Sequence, residues 1–372
     1  MSTYLVYLRV VIRKCKEMKV PILLLFTPIF TSLVSCASSQ PSISVACEEN
    51  NKGNFVMKWE TSPIIEGRIK VYASPDPNHI STESNPVAEA GINEERVTLV
   101  SANPLVRMYY TMVFNDEFPV TLSSRNVNVS GVQNFRDIGG YPASRNKETV
   151  WGHVYRSADI DNIDSEGIAV LRGLGIRTII DLRSQSEIRN SPRLKGINYI
   201  HIPIYSDDML DEVSKVYNGD VIADSVPSLV ERINAKVLSK RKWAYRKVFK
   251  CLLVRDNYPV LIECSDGKSR TGLVTAILLS ALGVNYDFIL KDYQLSNLYF
   301  DVTKFHRDAY RMPESAQEAI TSFFSAKEDY LDDAYQHIID DYGDATHYLT
   351  KGVGLSKHDI EKLRRLLLKN NY

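Results

Sequence analysis

The 372-residue chain is poor in cysteine, and the five it carries are scattered. No C-x2-C pair occurs, so the spacing offers neither a zinc site nor a disulfide framework, and Cys47 and Cys251 read as isolated thiols. Excess charge of either sign is missing as well, because 45 lysines and arginines balance 45 aspartates and glutamates. Without a bulk positive field the chain has no electrostatic case for nucleic acid, and any anion selectivity has to be local. A long apolar run is lacking too. The uncharged stretch from Val20 to Ser35 is shorter than the about 20 residues a helix needs to cross a bilayer, and Pro21 and Pro28 interrupt it.

What that stretch does have is a basic flank (Arg13, Lys14, Lys16, Lys19), a short apolar centre and small residues at its end. This pattern predicts a signal peptide over 1–35. Leu33-Val34-Ser35-Cys36 resembles a bacterial lipobox, which implies that Cys36 is lipidated and becomes the first residue of the mature chain. Acyl chains there would hold the protein on the outer face of a membrane, in the cell envelope. Met18-Lys19 begins a more typical signal sequence than Met1 does. Residues 36–44, small and polar, read as a tether.

From residue 45 to 125 the chain alternates. Phe55, Met57 and Trp59 share one face of a strand, as do Ile69, Val71 and Ala73, then Val97 and Leu99, then Met108, Tyr110, Met112 and Phe114. Period two over several short runs, broken by Pro75-Asp76-Pro77-Asn78 and Ala102-Asn103-Pro104, predicts an antiparallel β-sandwich. Its architecture resembles an immunoglobulin or fibronectin type III module. The spacing explains the aromatic residues as core, and the expected task is spacing or docking.

The chemistry is concentrated in Glu263 to Gly272, ECSDGKSRTG. An apolar strand pattern precedes it and the helical run LVTAILLSAL follows. A tight loop between strand and helix turns successive backbone N–H groups toward one point, which suits an oxyanion. Residues Ser265, Asp266, Gly267, Lys268, Ser269 and Arg270 would cradle phosphate, with the Arg270 guanidinium forking onto two oxygens. Cys264 stands at the mouth as a nucleophile, and the same field is expected to lower its pKa from about 8.5 toward roughly 3.5–7.5. The bland alternative is a buried structural cysteine at the foot of a core helix.

NFRDIGGY (134–141), VYRSADI (154–160), GIRTIIDLRSQSE (175–187) and the C-x5-R-T-G loop occur in that order. Together they resemble the bacterial and fungal cysteine-dependent tyrosine phosphatases, a group that includes secreted mycobacterial and listerial enzymes, some of them active on serine, threonine or phosphoinositides. The resemblance runs from about Val129 to the C-terminus. It implies that residues 126–372 form an α/β domain with a mostly parallel sheet wrapped by helices. It further implies phosphomonoester hydrolysis through a phosphocysteine, without metal or cofactor. The substrate would be a phosphorylated protein or, alternatively, an inositol phosphate or phosphoinositide.

Two positions depart from the family. Glu263 stands where histidine is usual, and an ionised neighbour would oppose a thiolate. Ser269 stands where aspartate is usual. For the general acid, Asp207 is the first choice and Asp208 the second, on a loop after the strand in NYIHIPIYSDDML, and Asp266 is the third. The pair Asp207-Asp208 reads equally as the cap of a following helix. Thr271 is placed to hydrogen-bond the departing thiolate or to cap its helix, and Lys268 to contact an anionic substrate. Asp181, Arg183 and Glu187 read as a paired structural cluster, and Arg136 and Asp137 as braces for Gly139-Gly140. The insertion between Asp208 and Trp243 is expected to form a lid, with Lys240-Arg241-Lys242 a solvated basic face. A rival from another class is a catalytically weak phospho-binding or adhesion protein of the cell envelope, favoured by Glu263, Ser269 and the sandwich.

Overall fold

Alternation in the first third of the chain becomes seven strands because each run has one apolar face to bury. The computed structural model describes residues 41–49, 54–100, 103, 106–190 and 192–370. The expected signal peptide and Cys36 lie outside the described residues. β1 (Ser42–Glu49) begins inside the stretch read as tether, because Ile43, Val45 and Cys47 already alternate toward the interior. It is followed by β2 (Phe55–Ser62), β3 (Arg68–Ser74), β4 (Ala88–Gly91), β5 (Arg96–Leu99), β6 (Tyr109–Phe114) and β7 (Phe118–Leu122). They form two antiparallel sheets, β1-β2-β5 and β4-β3-β6-β7. Met57 and Trp59 from the first sheet share one core with Ile69, Val71, Met112 and Phe114 from the second. The Trp59 indole N–H donates to the Ile92 carbonyl at 2.7 Å, which removes the cost of burying it.

The remaining chain builds a second, larger layer structure. Its strands are β8 (Arg136–Asp137), β9 (Pro142–Ala143), β10 (Lys147–Thr149), β11 (Val154–Ser157), β12 (Thr178–Asp181), β13 (Asn198–His201), β14 (Val260–Glu263) and β15 (Leu368–Asn370). The central sheet runs β13-β12-β14-β11-β8, parallel except for the edge strand β8. β9, β10 and β15 make a separate small sheet. The main helices are α1 (Ser165–Gly173), α2 (Asp207–Tyr217), α3 (Val226–Lys240), α4 (Lys242–Leu252), α5 (Ser269–Leu282), α6 (Tyr286–Gln294), α7 (Glu314–Phe324), α8 (Glu328–Tyr342) and α9 (Lys357–Leu367). Strand alternation sends Ile180 and Ile262 into a core shared with α2 to α9, and Ile179 and Leu261 into another with Val170 and Leu171 of α1. A parallel sheet covered on both faces explains why TIID and VLIE are buried throughout.

Local signals act as expected at several ends. Asp164 caps α1 by accepting from the Gly167 N–H at 2.9 Å, and Gly175, at φ +68°, turns the chain away after it. Within the insertion the helix breaks at Arg241, between α3 and α4. The reason is tertiary: the Arg241 guanidinium donates to the Ile204 carbonyl at 2.8 Å and the Pro203 carbonyl at 3.1 Å. The basic run is thus only partly a solvated face. Sandwich and sheet belong to one compact unit and meet through buried polar groups. Arg107 pairs with Asp137 at 3.1 Å, and the Tyr109 and Tyr155 hydroxyls lie 3.2 Å apart.

Candidate active site

β14 ends at Glu263 and α5 begins at Ser269, so Cys264 to Lys268 form the connecting loop. Gly267 sits at φ +65°, and a Cβ there would lie 2.3 Å from the backbone carbon of Ser157. Only glycine lets the loop pack that closely on β11. α5 is apolar nearly all round and buried, which fixes the loop to a rigid base. Asp266 turns into the loop: its Oδ1 accepts the amides of Lys268 at 2.9 Å and Ser269 at 3.2 Å, and its Oδ2 accepts the Ser269 hydroxyl at 3.0 Å. The same Oδ1 takes the Cys264 thiol at 3.1 Å.

Cys264 is fully buried and Arg270 is 4% exposed. Burial, and then the Asp266 carboxylate, push the Cys264 thiol up to about 11, against the opposing pull of Arg270 and Thr271. Burial and the Asp266 carboxylate thus favour the thiol over the expected thiolate, with the sulfur placed to donate to Asp266. Burial would raise the Asp266 pKa, but Lys268, Arg270 and the thiol hydrogen bond outweigh it and hold the carboxyl below the ordinary range. Proton donor and proton acceptor are already in contact.

Glu187 belongs to this site and not only to a structural cluster. Its carboxylate accepts both Arg270 terminal nitrogens, at 2.5 and 2.7 Å, and the Ser265 hydroxyl at 2.7 Å. Burial of Glu187 is overcome by the Arg270 charge and hydrogen bonds, which lower its pKa to about 2. Tyr205 lies against the other side of the guanidinium, 4.2 Å from ring centroid to carbon. Behind the loop the remaining motifs converge. Asn134 donates to the Asp266 carbonyl at 2.9 Å and Arg156 to the Gly267 carbonyl at 2.7 Å. Arg156 and Arg136 are held in turn by Asp292, at 2.6 and 3.1 Å. The order of the motifs was the one available signal for these residues, since nothing in their spacing shows that they meet.

Other expectations are met unevenly. Asp137 does brace its loop, accepting the amides of Gly139 and Gly152 at 2.7 Å each, whereas Arg136 turns to Asp292. Asp181 and Arg183 pair at 2.9 Å as the structural core of their cluster. Glu263 is buried beside them; its own burial, then Asp181, push its pKa well above the ordinary carboxylate value, which opposes the charge expected beside Cys264. Asp207 and Asp208 lie not on a loop but in the exposed first turn of α2, where carboxylates favour the helix dipole. Asp208 binds the Ser206 hydroxyl at 2.5 Å and Lys236 at 3.3 Å. Among the described residues no hydrogen bond or ion pair joins either aspartate to the phosphate loop. Lys268 points inward, its ammonium on the Phe323 carbonyl and 3.3 Å from that of Ser325. Thr271, within α5, lowers the thiol pKa through its hydroxyl and amide, although the hydroxyl falls short of a formed hydrogen bond and does not cap the helix. Val230, Ile233 and Asn234 of α3 wall a cavity of about 10 Å³ beside Ser269, room for roughly one water. The insertion thus covers this side of the loop.

A model of the tyrosine phosphatase family matches residues 127–369. The chain is similar to the triple specificity protein phosphatase PtpB of Mycobacterium tuberculosis, 27% identical over 275 residues, which covers 64% of this chain and 97% of that protein. It is also similar to a tyrosine-protein phosphatase of Nostoc commune, 26% identical over 222 residues, covering 56% of this chain and 72% of that one. Among solved structures, P. aeruginosa TpbA is 16% identical over 48% of this chain and 90% of its own, at a TM-score of 0.23, which by itself says nothing further about this chain.

Proposed function

The chain belongs to the tyrosine phosphatase family, and from that premise we propose that it dephosphorylates phosphotyrosine-containing proteins, with phosphoserine and phosphothreonine as further substrates, by a one-proton shuttle between Cys264 and Asp266. The observation that carries this is the 3.1 Å contact of the thiol with Asp266 Oδ1 inside a loop closed by Arg270. As sulfur attacks phosphorus, the thiol proton passes to Asp266, the P–S bond forms and the P–O bond to the substrate breaks. Asp266 then gives that proton to the leaving oxygen. In the second step water attacks the phosphocysteine, its proton goes to Asp266, the P–S bond breaks to release phosphate, and Asp266 returns the proton to the departing Cys264 sulfur. Loop amides and Arg270 stabilise the equatorial oxygens in both steps. Asp266 takes the acid role in preference to Asp207 and Asp208 because it touches the sulfur and they sit in a helix turn.

Lys268 supports a protein substrate over an inositol phosphate. With its ammonium tied to carbonyls of α7 and the turn after it, the loop has no spare cation for a polyanion. The strand order β1-β2-β5 against β4-β3-β6-β7 supports an immunoglobulin- or fibronectin-like module, acting as a spacer between the catalytic domain and a lipid anchor at Cys36 in the cell envelope. Cys36→Ala should release the protein from the membrane fraction; unchanged partitioning and mature mass would count against the anchor.

Aryl phosphates of graded leaving-group pKa test the shuttle. Asp266→Asn should lose about 10²–10⁴-fold on phenyl phosphate and far less on a nitrophenyl ester. The same variant should alkylate faster with iodoacetamide at neutral pH, because removing the carboxylate charge lowers the thiol pKa. Sensitivity to the leaving group in Asp207→Asn alone would move the acid to α2.

A further inference from the structure

The starts of the parallel strands frame a cleft of about 490 Å³ at the end of the sheet opposite the phosphate loop. His153 precedes β11, Arg177 precedes β12 and Tyr258 lies just before β14, while Arg255 comes from the turn before that strand and Arg365 from α9. The backbones that carry them are fixed. The amide of Val260 donates to the His153 carbonyl at 2.8 Å and that of Arg177 to the Pro259 carbonyl at 2.9 Å, and the His153 and Tyr258 rings lie 5.7 Å apart.

Three arginines line this cleft beside a single acidic residue, Asp256. All three arginines are exposed, and among the described residues none of their side chains makes a hydrogen bond or an ion pair. The buried arginines 136, 156, 183 and 270, by contrast, are each held by acidic side chains. Like charges gathered in one cleft repel unless an anion joins them, and guanidinium forks match phosphate oxygens in pairs. Tyr258, Pro259 and Leu366 give the cleft an apolar wall, against which the ring or stem of a ligand can lie. The volume is in the range of small-molecule sites.

We propose that this cleft is a second anion site, distinct from the catalytic loop, that binds a small ligand bearing more than one phosphate group, either free or as a lipid headgroup. Calorimetric titration of the purified Cys36→Ala chain with inositol hexakisphosphate should show binding. The variant Arg177→Gln/Arg255→Gln/Arg365→Gln should weaken it about a thousandfold, about tenfold for each guanidinium–phosphate pair lost. Turnover of nitrophenyl phosphate should be unchanged in that variant, which shows that it folds and separates this site from the phosphate loop. Co-sedimentation with vesicles of phosphatidylcholine and phosphatidylinositol bisphosphate distinguishes the sources: vesicle binding that the triple variant loses identifies a headgroup site, and binding of the soluble probe alone identifies a free ligand. Equal affinity in the triple and parent chains, or no binding of either probe, overturns the proposal. Because binding is read without catalysis, an inactive phosphate loop would leave this result intact.

Discussion

Two buried arginines near the end of β14 show how the same side chain is put to different uses. Arg183 is surrounded by acidic side chains: Asp181 at 2.9 Å, Asp161 at 3.0 Å, Glu263 at 3.9 Å and Asp159 at 4.0 Å. Its fork is saturated, and no oxygen from outside can compete. Arg270 has one carboxylate partner, Glu187, and an aromatic face on Tyr205. One carboxylate is enough to orient a guanidinium and too little to exhaust its donors or cancel the field of the loop amides. An arginine that serves the fold is overpaired, and one that serves a dianionic substrate is held by a single acid.

Substitutions sharpen this contrast, starting with the largest effect. Arg270→Met should cost about 10³–10⁵ in turnover, the scale of an arginine acting on a transferring phosphoryl group, with a smaller loss of stability because a single, partly exposed carboxylate is left unpaired. A mild loss would mean that the loop amides alone bear the charge. Arg183→Met should do the reverse, destabilising the fold by about 3–5 kcal/mol in denaturant titration because buried carboxylates lose their counter-charge. If it left stability intact and removed turnover, the two arginines would not differ as argued.

Glu187→Gln comes next. It keeps the shape but loses the charge-assisted fork, and should reduce turnover about ten- to a hundredfold, in line with about 1.5–3 kcal/mol for hydrogen bonds to charged groups. Its pH signature is specific. Glu187 has a folded pKa of about 2 against an ordinary 4.5, so its stabilisation is complete above 4.5 and is lost as pH falls toward 2. The parent chain should lose stability across that window, and the variant should lose less there. Matching acid limbs would remove Glu187 from the account. The smallest effect is expected for Asp208→Asn, within about twofold in turnover, since an exposed pair with Lys236 is worth about 1 kcal/mol or less to stability. A large loss there would restore α2 as the source of the acid.

Much of the fold was legible because burial imposes a period. Trp59 and Phe114 in the sandwich, Ile180 and Ile262 in the sheet, and the cap at Asp164 followed from alternation and local hydrogen-bonding chemistry. The strand–loop–helix around Cys264 was legible for a similar reason, since Cys264, Gly267 and Arg270 lie close along the chain and their spacing already constrains their geometry. Aspartates 207 and 208 were misplaced onto a loop because their helix begins two residues earlier than its apolar pattern suggests, and charge is welcome in a first turn.

By itself the sequence determined the strand–loop–helix that carries Cys264 and Arg270, the two-part architecture and the class of chemistry. These depend on neighbours in the chain. Only the tertiary structure decided the states of the reacting groups: that Glu187 holds Arg270 across 83 residues, that Lys268 turns inward to residues 55 and 57 further on, and that Cys264 rests as a thiol on Asp266. Even this last contact, two residues apart, depends on the fold. Desolvation by distant helices sets the thiol pKa, and Asn134 and Arg156 hold the backbone that aims the carboxylate. Spacing along a chain specifies which groups can meet locally, whereas protonation and pairing depend on the dielectric and charges that the rest of the molecule brings around them.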